Sequence, residues 1–270
     1  MPETPASEAS TPQAAATDRA GAVTEDALMG GKVRLRQPAE GYRAGMDAAL
    51  LAAAVDAGPN ERVLEAGCGA GAALFQAAVR RPEACFVGVE RDLNALALAE
   101  DNVGLNGMFA RVTVRAGDVG HGFAGQGFLR PGEPPFDLAF ANPPFFDDPS
   151  ALRAPSEAKR GAWIADAGLD AWTRFLLKAV RDGGRVIMIH RAERLFDLIA
   201  LLGGQAGSFQ VRPVHPFADA PAKRVLVRAV KGGKAPMVLL PPLVLHERGG
   251  AKHTAEAEAV LRGEAELAWF

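Results

Sequence analysis

From Val63 onward the chain alternates between two kinds of segment, and that alternation limits the folds open to it. Short apolar runs rich in β-branched residues read as strands: "RVLEAG" at 62–67, "CFVGVE" at 85–90, "RVTVRAG" at 111–117, "FDLAFA" at 136–141 and "RVIMIH" at 185–190. Longer runs with helical spacing follow them: "AALFQAAVRR" at 72–81, "DLNALALAEDNVGLNG" at 92–107, "LDAWTRFLLKAVRDGG" at 169–184 and "AERLFDLIALLGG" at 192–204. Several close on glycine, the usual helix stop. Strand–helix alternation with right-handed crossovers builds an open parallel sheet with helices on both faces, an α/β fold. Near the end "FQVRPVHPF" and "KRVLVRAVKG" have no helix between them and read as a final antiparallel pair.

Residues 1–23 stand apart. They are rich in Ala, Thr, Pro, Ser and Glu and lack the apolar surface that offsets ordering entropy, so they read as a disordered tail. No apolar core and no basic start mark a secretory signal there, and the acids argue against a transit peptide. No apolar run approaches the roughly 18 residues of a membrane span. Two cysteines, Cys68 and Cys85, form neither a disulfide framework nor a CxxC pair, which fits a cytoplasmic setting without structural zinc. The five histidines are scattered, with no metal-ligand spacing, and read as loop or strand-end residues. The formal charge is −2, but residues 1–26 carry a net −4, which leaves +2 on the remainder. Nucleic acid is neither announced nor excluded as a partner.

After the first strand of the alternation comes "EAGCGAG". Gly67, Gly69 and Gly71 permit positive φ and close backbone approach to a ligand at a helix N-terminus. Glu90, at the end of the next strand, is placed to accept both hydroxyls of a ribose. Two cofactors fit this stretch. Gly67, Gly69, Ala72 and Glu90 satisfy the dinucleotide pattern. S-adenosylmethionine fits as well, with Glu65 contributing to hold an ammonium group, a role a dehydrogenase does not need. Asp118, ending the third strand, can accept the amino group of an adenine or act as a local cap.

The fourth strand stops at "NPPF". The side-chain oxygen of Asn142 and the carbonyl of Pro143 are two acceptors on a backbone stiffened by two prolines. They suit an –NH2 group on a plane, on which Phe145 can lie flat. Such acceptors encourage a delocalised amine to become pyramidal and to attack a sulfonium methyl. No metal is needed, and catalysis is positioning and electrostatics.

Together "EAGCGAG", "GVE", "AGDV" and "ANPPF" resemble the class I S-adenosylmethionine-dependent methyltransferases of the amino-methylating group. The segment 26–55, "DALMGGKVRLRQPAEGYRAGMDAALLAAAV", with "PAKRVLVRAVKG" and "LPPLVLHERGG", resembles the bacterial tRNA(valine) adenine N(6)-methyltransferase family. The resemblance covers about residues 24–262. It implies a Rossmann-like, seven-stranded, mostly parallel sheet with a C-terminal antiparallel pair. It divides the chain into a tail (1–23), a lid and helix segment (24–58), the methyltransferase domain (59–262) and a C-terminal tail (263–270). It implies S-adenosylmethionine held by Glu65, Gly67, Gly69, Gly71, Glu90, Asp118 and Asn142, and catalysis by Asn142, Pro143 and Phe145. Gln37, Gly41, Tyr42, Arg43 and Asp47 would cover the cofactor pocket; Asp47 also reads as an N-cap of the helix it opens. Glu65 stands where the family often has Asp.

Arg153, Lys159 and Arg160 after the motif, and the basic residues of 212–234, Lys223 and Arg224 among them, are candidates for RNA phosphates. On a strand Arg224 and Arg228 share a side that Lys223 does not. The expected acceptor is adenine in RNA, a tRNA foremost. Protein glutamine and ribosomal-RNA guanine offer the same amine. A nicotinamide-binding protein and a non-catalytic RNA-binding module are the readings from other classes.

Overall fold

A computed structural model of the chain describes residues 22–40, 43–121, 132–145 and 168–270. The tail through residue 21, Gly41, Tyr42, Arg153, Lys159 and Arg160 lie outside the described residues.

The main sheet follows the alternation closely. Its strands are β3 (Arg62–Ala66), β4 (Cys85–Glu90), β5 (Val112–Ala116), β6 (Phe136–Ala141), β7 (Val180–Arg191), β8 (Ala206–His215) and β9 (Arg224–Lys231), with short β10 (Val238–Leu239) and β11 (Leu243–Val244). Across the sheet the order is β10-β8-β9-β7-β6-β3-β4-β5, and β11 also pairs with β8. The strands β3 to β7 run parallel; β9 is antiparallel to both β7 and β8. The expected seven strands are therefore present, the last two as the antiparallel pair, and two short strands bring the sheet to nine. These additions are two residues long, on either side of Pro241 and Pro242, too short to carry a periodic signal.

Why the strands sit where they do follows from two-faced burial. Leu138 and Phe140 face one side of the sheet, Ala139 and Ala141 the other; Ile187 and Ile189 oppose Val186 and Met188 in the same way. Both faces are apolar because both are covered. Helices α1 (Met46–Ala54), α2 (Ala72–Arg80) and α3 (Leu93–Leu105) supply one layer, with Leu50, Leu51 and Phe75 buried in it. Helices α4 (Leu169–Ala179) and α5 (Leu195–Gly203) supply the other through Phe175, Leu176 and Leu198.

Two boundaries differ from the sequence expectation. The helix over "LDAWTRFLLKAVRDGG" ends at Ala179, and Val180 is already extended (φ −87°, ψ 147°). Val180 pairs with Phe136 and Arg185 with Leu138, so the residues between them bulge from β7. The Gly-Gly pair serves that bulge, not a helix stop, with Gly183 at φ +73°. Asp47 does not cap α1: the N-cap is Gly45, and Asp47 lies inside the first turn, where a negative charge still favours the helix dipole.

The segment before the domain holds an unanticipated hairpin, β1 (Val23–Leu28) antiparallel to β2 (Val33–Pro38). Its outer edge is completed by a helix. Asn106, the C-cap of α3, accepts from the Arg34 amide at 2.9 Å and donates to the Arg34 carbonyl at 2.8 Å. Asn102, one helical turn earlier, does the same for Arg36, both at 2.8 Å. Residues i and i+4 of a helix thus mimic a neighbouring strand against positions i and i+2 of β2. Asn102 also donates to the carbonyl of Ala70 in the glycine loop at 3.0 Å. At the other end, a helix α6 (Ala255–Leu261) leads to residues 263–270, which lie against α1: Leu267 donates to Ala53 at 3.0 Å and the Trp269 indole to Ala54 at 2.6 Å.

Asn102 is fully buried, so Asn102→Ala strands the Arg36 amide and carbonyl and the Ala70 carbonyl. The expected loss is about 1–3 kcal/mol for each group that finds no water, read as a lower urea midpoint with an unchanged slope. The partly buried counterpart Asn106→Ala should lose less.

Candidate active site

The order of strands creates the site. The chain runs β3, β4, β5 towards one edge, then crosses to lay β6 on the other side of β3. Ligands in open α/β sheets bind beyond the carboxyl ends of strands at such a switch. The register Ala66↔Ala141 brings the ends of β3 and β6 level, so the glycine loop and Asn142 leave the sheet side by side. Glu90 ends β4 opposite Ala116 of β5, and Asp118 follows two residues later. Gly67, Gly69, Gly71, Glu90, Asp118, Asn142, Pro143 and Phe145 thus share one end of the sheet.

The loop is built to a tight specification. The Gly67 and Cys68 amides both donate to the Val89 carbonyl, at 2.8 and 3.0 Å. Gly67 (φ +67°) lies against the Trp172 ring, where an added Cβ would come within 2.4 Å of it. Gly71 (φ +94°) lies against Phe75, where a Cβ would come within 2.2 Å. Gly69 is different. Its φ is +55°, yet nothing stands within 4 Å of where a Cβ would be, so this part of the loop faces open space. Trp172 and Phe75 support the loop from beneath, and neither was legible as a site residue: a tryptophan and a phenylalanine in helices read as core. Gly88 belongs with them, because a Cβ there would come within 2.8 Å of both Cys68 and Leu74.

Glu65 is buried at 3% exposure under this loop. It accepts from the backbone amide of Leu74 in the first turn of α2, doing from a distance what the N-cap Gly71 cannot do with a side chain. Its Oε2 is buried and receives no hydrogen bond. Burial first, and the Glu90 carboxylate second, push its pKa well above the usual range, against the opposing pull of the Leu74 amide. The same burial and the same two acids raise the Cys68 thiol, so it packs as a neutral group. A buried acid with a spare acceptor beside an open loop fits a ligand that carries positive charge.

Glu90 is held rigidly: Oε2 accepts from the Gly69 amide and Oε1 from the Arg91 and Asp92 amides, all at 2.8 Å. The carboxylate therefore fixes the loop as well as facing the site. Asp118 is engaged locally, accepting from the Gly120 amide at 2.8 Å and pairing with His121 at 3.0 Å. After β6, Asn142 is partly buried with its Oδ1 wholly so, Pro143 is buried and Pro144 exposed. The Phe145 ring meets the His190 ring edge-on at 5.1 Å and carries the Arg224 guanidinium over its face at 4.5 Å. His190 stands at the end of β7, the strand-end position expected of it, and is fully buried there.

The basic cluster of 212–234 is largely spent inside the protein. Arg212 is buried and donates to the carbonyls of Pro241 and Ala268. Arg228 pairs with Asp56 at 3.0 Å, Arg224 with Asp47 at 3.0 Å, and Lys231 donates to the Val180 carbonyl at 3.0 Å. Lys223 and Lys234 remain exposed. Gln37 is buried and orders the cover segment, donating to Asp26 at 2.7 Å and accepting from the Ala44 amide at 2.8 Å; Arg43 joins the same Asp26 oxygen at 2.7 Å. Among the described residues no three His, Cys, Asp or Glu side chains gather as a metal site would need, and no helix is long and apolar enough to cross a membrane.

The raised Glu65 pKa has a definite sign in the ligand-free protein. The folded state keeps its proton above the pH at which the unfolded chain loses it, so stability falls as pH rises from about 4.5. The fall ends at the folded pKa. Glu65→Gln removes this loss, and its melting temperature relative to the parent should climb with pH across that window. A gap independent of pH would contradict the burial argument. Gly67→Ala, which must displace Trp172, should lower the melting temperature by several degrees.

The methyltransferase domain family matches residues 57–197. A ribosomal protein uL3 glutamine methyltransferase of Bradyrhizobium diazoefficiens is 33% identical over 145 residues, 51% of this chain and 43% of that protein, so the chain spans under half the length of this relative. A tRNA1(Val) (adenine(37)-N6)-methyltransferase of Trichodesmium erythraeum is 27% identical over 203 residues, 73% of this chain and 81% of that protein. The crystal structure of a predicted O-methyltransferase from Agrobacterium tumefaciens superposes with a TM-score of 0.68 at 28% identity, over 83% of this chain and 99% of that one. S-adenosylmethionine is the cofactor that fits both these neighbours and the orphaned acid beneath an open glycine loop. With the loop, the acids and the strand order in place, the chain belongs to the methyltransferase domain family.

Proposed function

We propose that the protein methylates the exocyclic amine of adenine in RNA, a cytoplasmic tRNA foremost. The observation that carries this reading is the adjacency of "NPPF" to the glycine loop, set by the β3–β6 register. S-adenosylmethionine, when bound, supplies an electrophilic methyl group. Glu65, Gly67, Gly69, Gly71 and Glu90 are the residues proposed to hold it, with Asp118 and Asn142 at the margins. Ionised Glu65 balances the cofactor's positive charge. Asn142 through its side-chain oxygen and Pro143 through its carbonyl accept the two hydrogens of the amine. They turn its lone pair towards the methyl group and stabilise the charge that develops on nitrogen. With the methyl group taken by the amine nitrogen and the sulfur–carbon pair left on sulfur, the surplus proton of the amine would leave to solvent. Phe145 is the wall for the acceptor plane. Lys223, with Arg153, Lys159 and Arg160 of the segment after the motif, is proposed to meet phosphates.

An RNA acceptor is favoured because the tRNA-methylating relative aligns over most of both chains. A glutamine amide is the second reading, supported by the higher identity of the shorter match. Both present the same –NH2, so one experiment separates them. Purified protein with S-adenosylmethionine is offered unmodified bulk tRNA, ribosomal RNA, DNA and ribosomal protein in parallel, and products are read by mass spectrometry. N(6)-methyladenosine in tRNA is the expected product; methylglutamine or methylguanine overturns the adenine reading and keeps the site. Asn142→Ala should lose at least a hundredfold in turnover, the size of a missing transition-state hydrogen bond partner. Its cofactor affinity by calorimetry should change far less.

A further inference from the structure

Arg224 was a candidate for phosphate binding, but its surroundings describe a different task. Its Nε donates to Oδ2 of Asp47 at 3.0 Å, one Nη donates to the Lys223 carbonyl at 3.1 Å, and the guanidinium lies over the Phe145 ring at 4.5 Å. Asp47 is anchored in the first turn of α1. Phe145 is held on a second side by the fully buried His190, edge-on at an interplanar angle of 83°. We infer that Asp47 and Arg224 are positioning residues that fix the Phe145 ring as the wall of the acceptor site. This rests on the reading that Phe145 is that wall.

Three features support a structural task over a phosphate contact. The charge of Arg224 already has a carboxylate, and two of its five N–H donors are committed within the protein. Its plane is used: a guanidinium can stack on a ring and hydrogen-bond at its edge together, whereas an ammonium cannot. The pattern also repeats, since Arg228 on the same face of β9 is held by Asp56 just after α1. The two prolines before Phe145 restrict the backbone but not the ring, so without a face partner a partly exposed phenylalanine samples several rotamers. A wall that wanders loses the orientation on which the transfer depends.

The test uses Phe145→Ala, Arg224→Lys, Arg224→Gln and Asp47→Asn in the full chain, each checked for folding by thermal melting. If Arg224→Gln does not fold, the two conservative variants, Arg224→Lys and Asp47→Asn, carry the test. Protein labelled with ¹³C in its phenylalanine rings gives a readout that needs no acceptor, the Phe145 signal being assigned by its loss in Phe145→Ala. Arg224→Lys and Asp47→Asn should shift that signal towards the averaged position of a mobile ring; an unmoved signal overturns the inference. With bulk tRNA as acceptor, both Arg224 variants should lower kcat roughly tenfold to a hundredfold. The dependence of KM on salt should stay the same, and cofactor affinity should stay within about twofold of the parent. Full activity in Arg224→Lys, or a salt slope reduced by about one in Arg224→Gln, would make Arg224 a phosphate ligand and sink the relay. Parent-like turnover in Phe145→Ala sinks the wall itself, a separate failure.

Discussion

The pairing of β3 with β6 is the constraint on which the site depends. Ala66 stands against Ala141, and one residue later the strands give way to the glycine loop and to Asn142. A slip of one residue would turn Glu65 to the opposite face and carry Asn142 away from the glycine loop. What resists that slip is apolar burial on both faces: Leu64, Ala66, Ala139 and Ala141 pack on one side, Val63, Leu138 and Phe140 on the other. The placing of the glycine loop beside Asn142 is thus set by packing inside the sheet.

Electrostatics at the site is organised by burial more than by net charge. The Glu90 carboxylate is near enough to disfavour charge on Glu65, and the two acids are held differently. Glu90 accepts from three backbone amides. Glu65 takes one, loses most of its water, and is left wanting a positive neighbour. Elsewhere most arginines are paired at partly exposed positions, where each ion pair contributes at most about 1 kcal/mol. They fix directions more than they stabilise: Arg185 joins Asp56 and Glu61, and Arg228 shares Asp56, so the strands β7 and β9 are tied to the loop after α1.

The sheet and its helices were legible because each strand is a short apolar run and each helix has its own period. "CFVGVE" and "FDLAFA" are β4 and β6 residue for residue. The glycine loop and "NPPF" were legible because glycine and proline restrict or free the backbone in ways few other residues do. What escaped has a common cause: its meaning lies in a distant partner. Asn102 is an ordinary helix residue until β2 arrives at its side. Trp172 is core until Gly67 leaves room for it. His190 is a strand end until Phe145 meets its edge. The basic run of 212–234 suggested a phosphate-binding face because a sequence does not show which acids and carbonyls fold against it. Asp47, Asp56 and the carbonyls of Val180, Pro241 and Ala268 take four of those cations.

The place of β9 has a consequence for how the chain assembles. It is the last long strand to be made, yet it lies between β7 and β8 rather than at the rim. While synthesis proceeds, β7 presents an open edge and β8 has no neighbour to dock on. The half with the glycine loop can close early, but Arg224 meets Asp47 only after 177 residues of separation are bridged. Contacts of that span are slow to form, and an open strand edge invites the wrong partner meanwhile. A chain halted short of β9 would therefore carry the glycine loop without the guanidinium that covers the Phe145 ring.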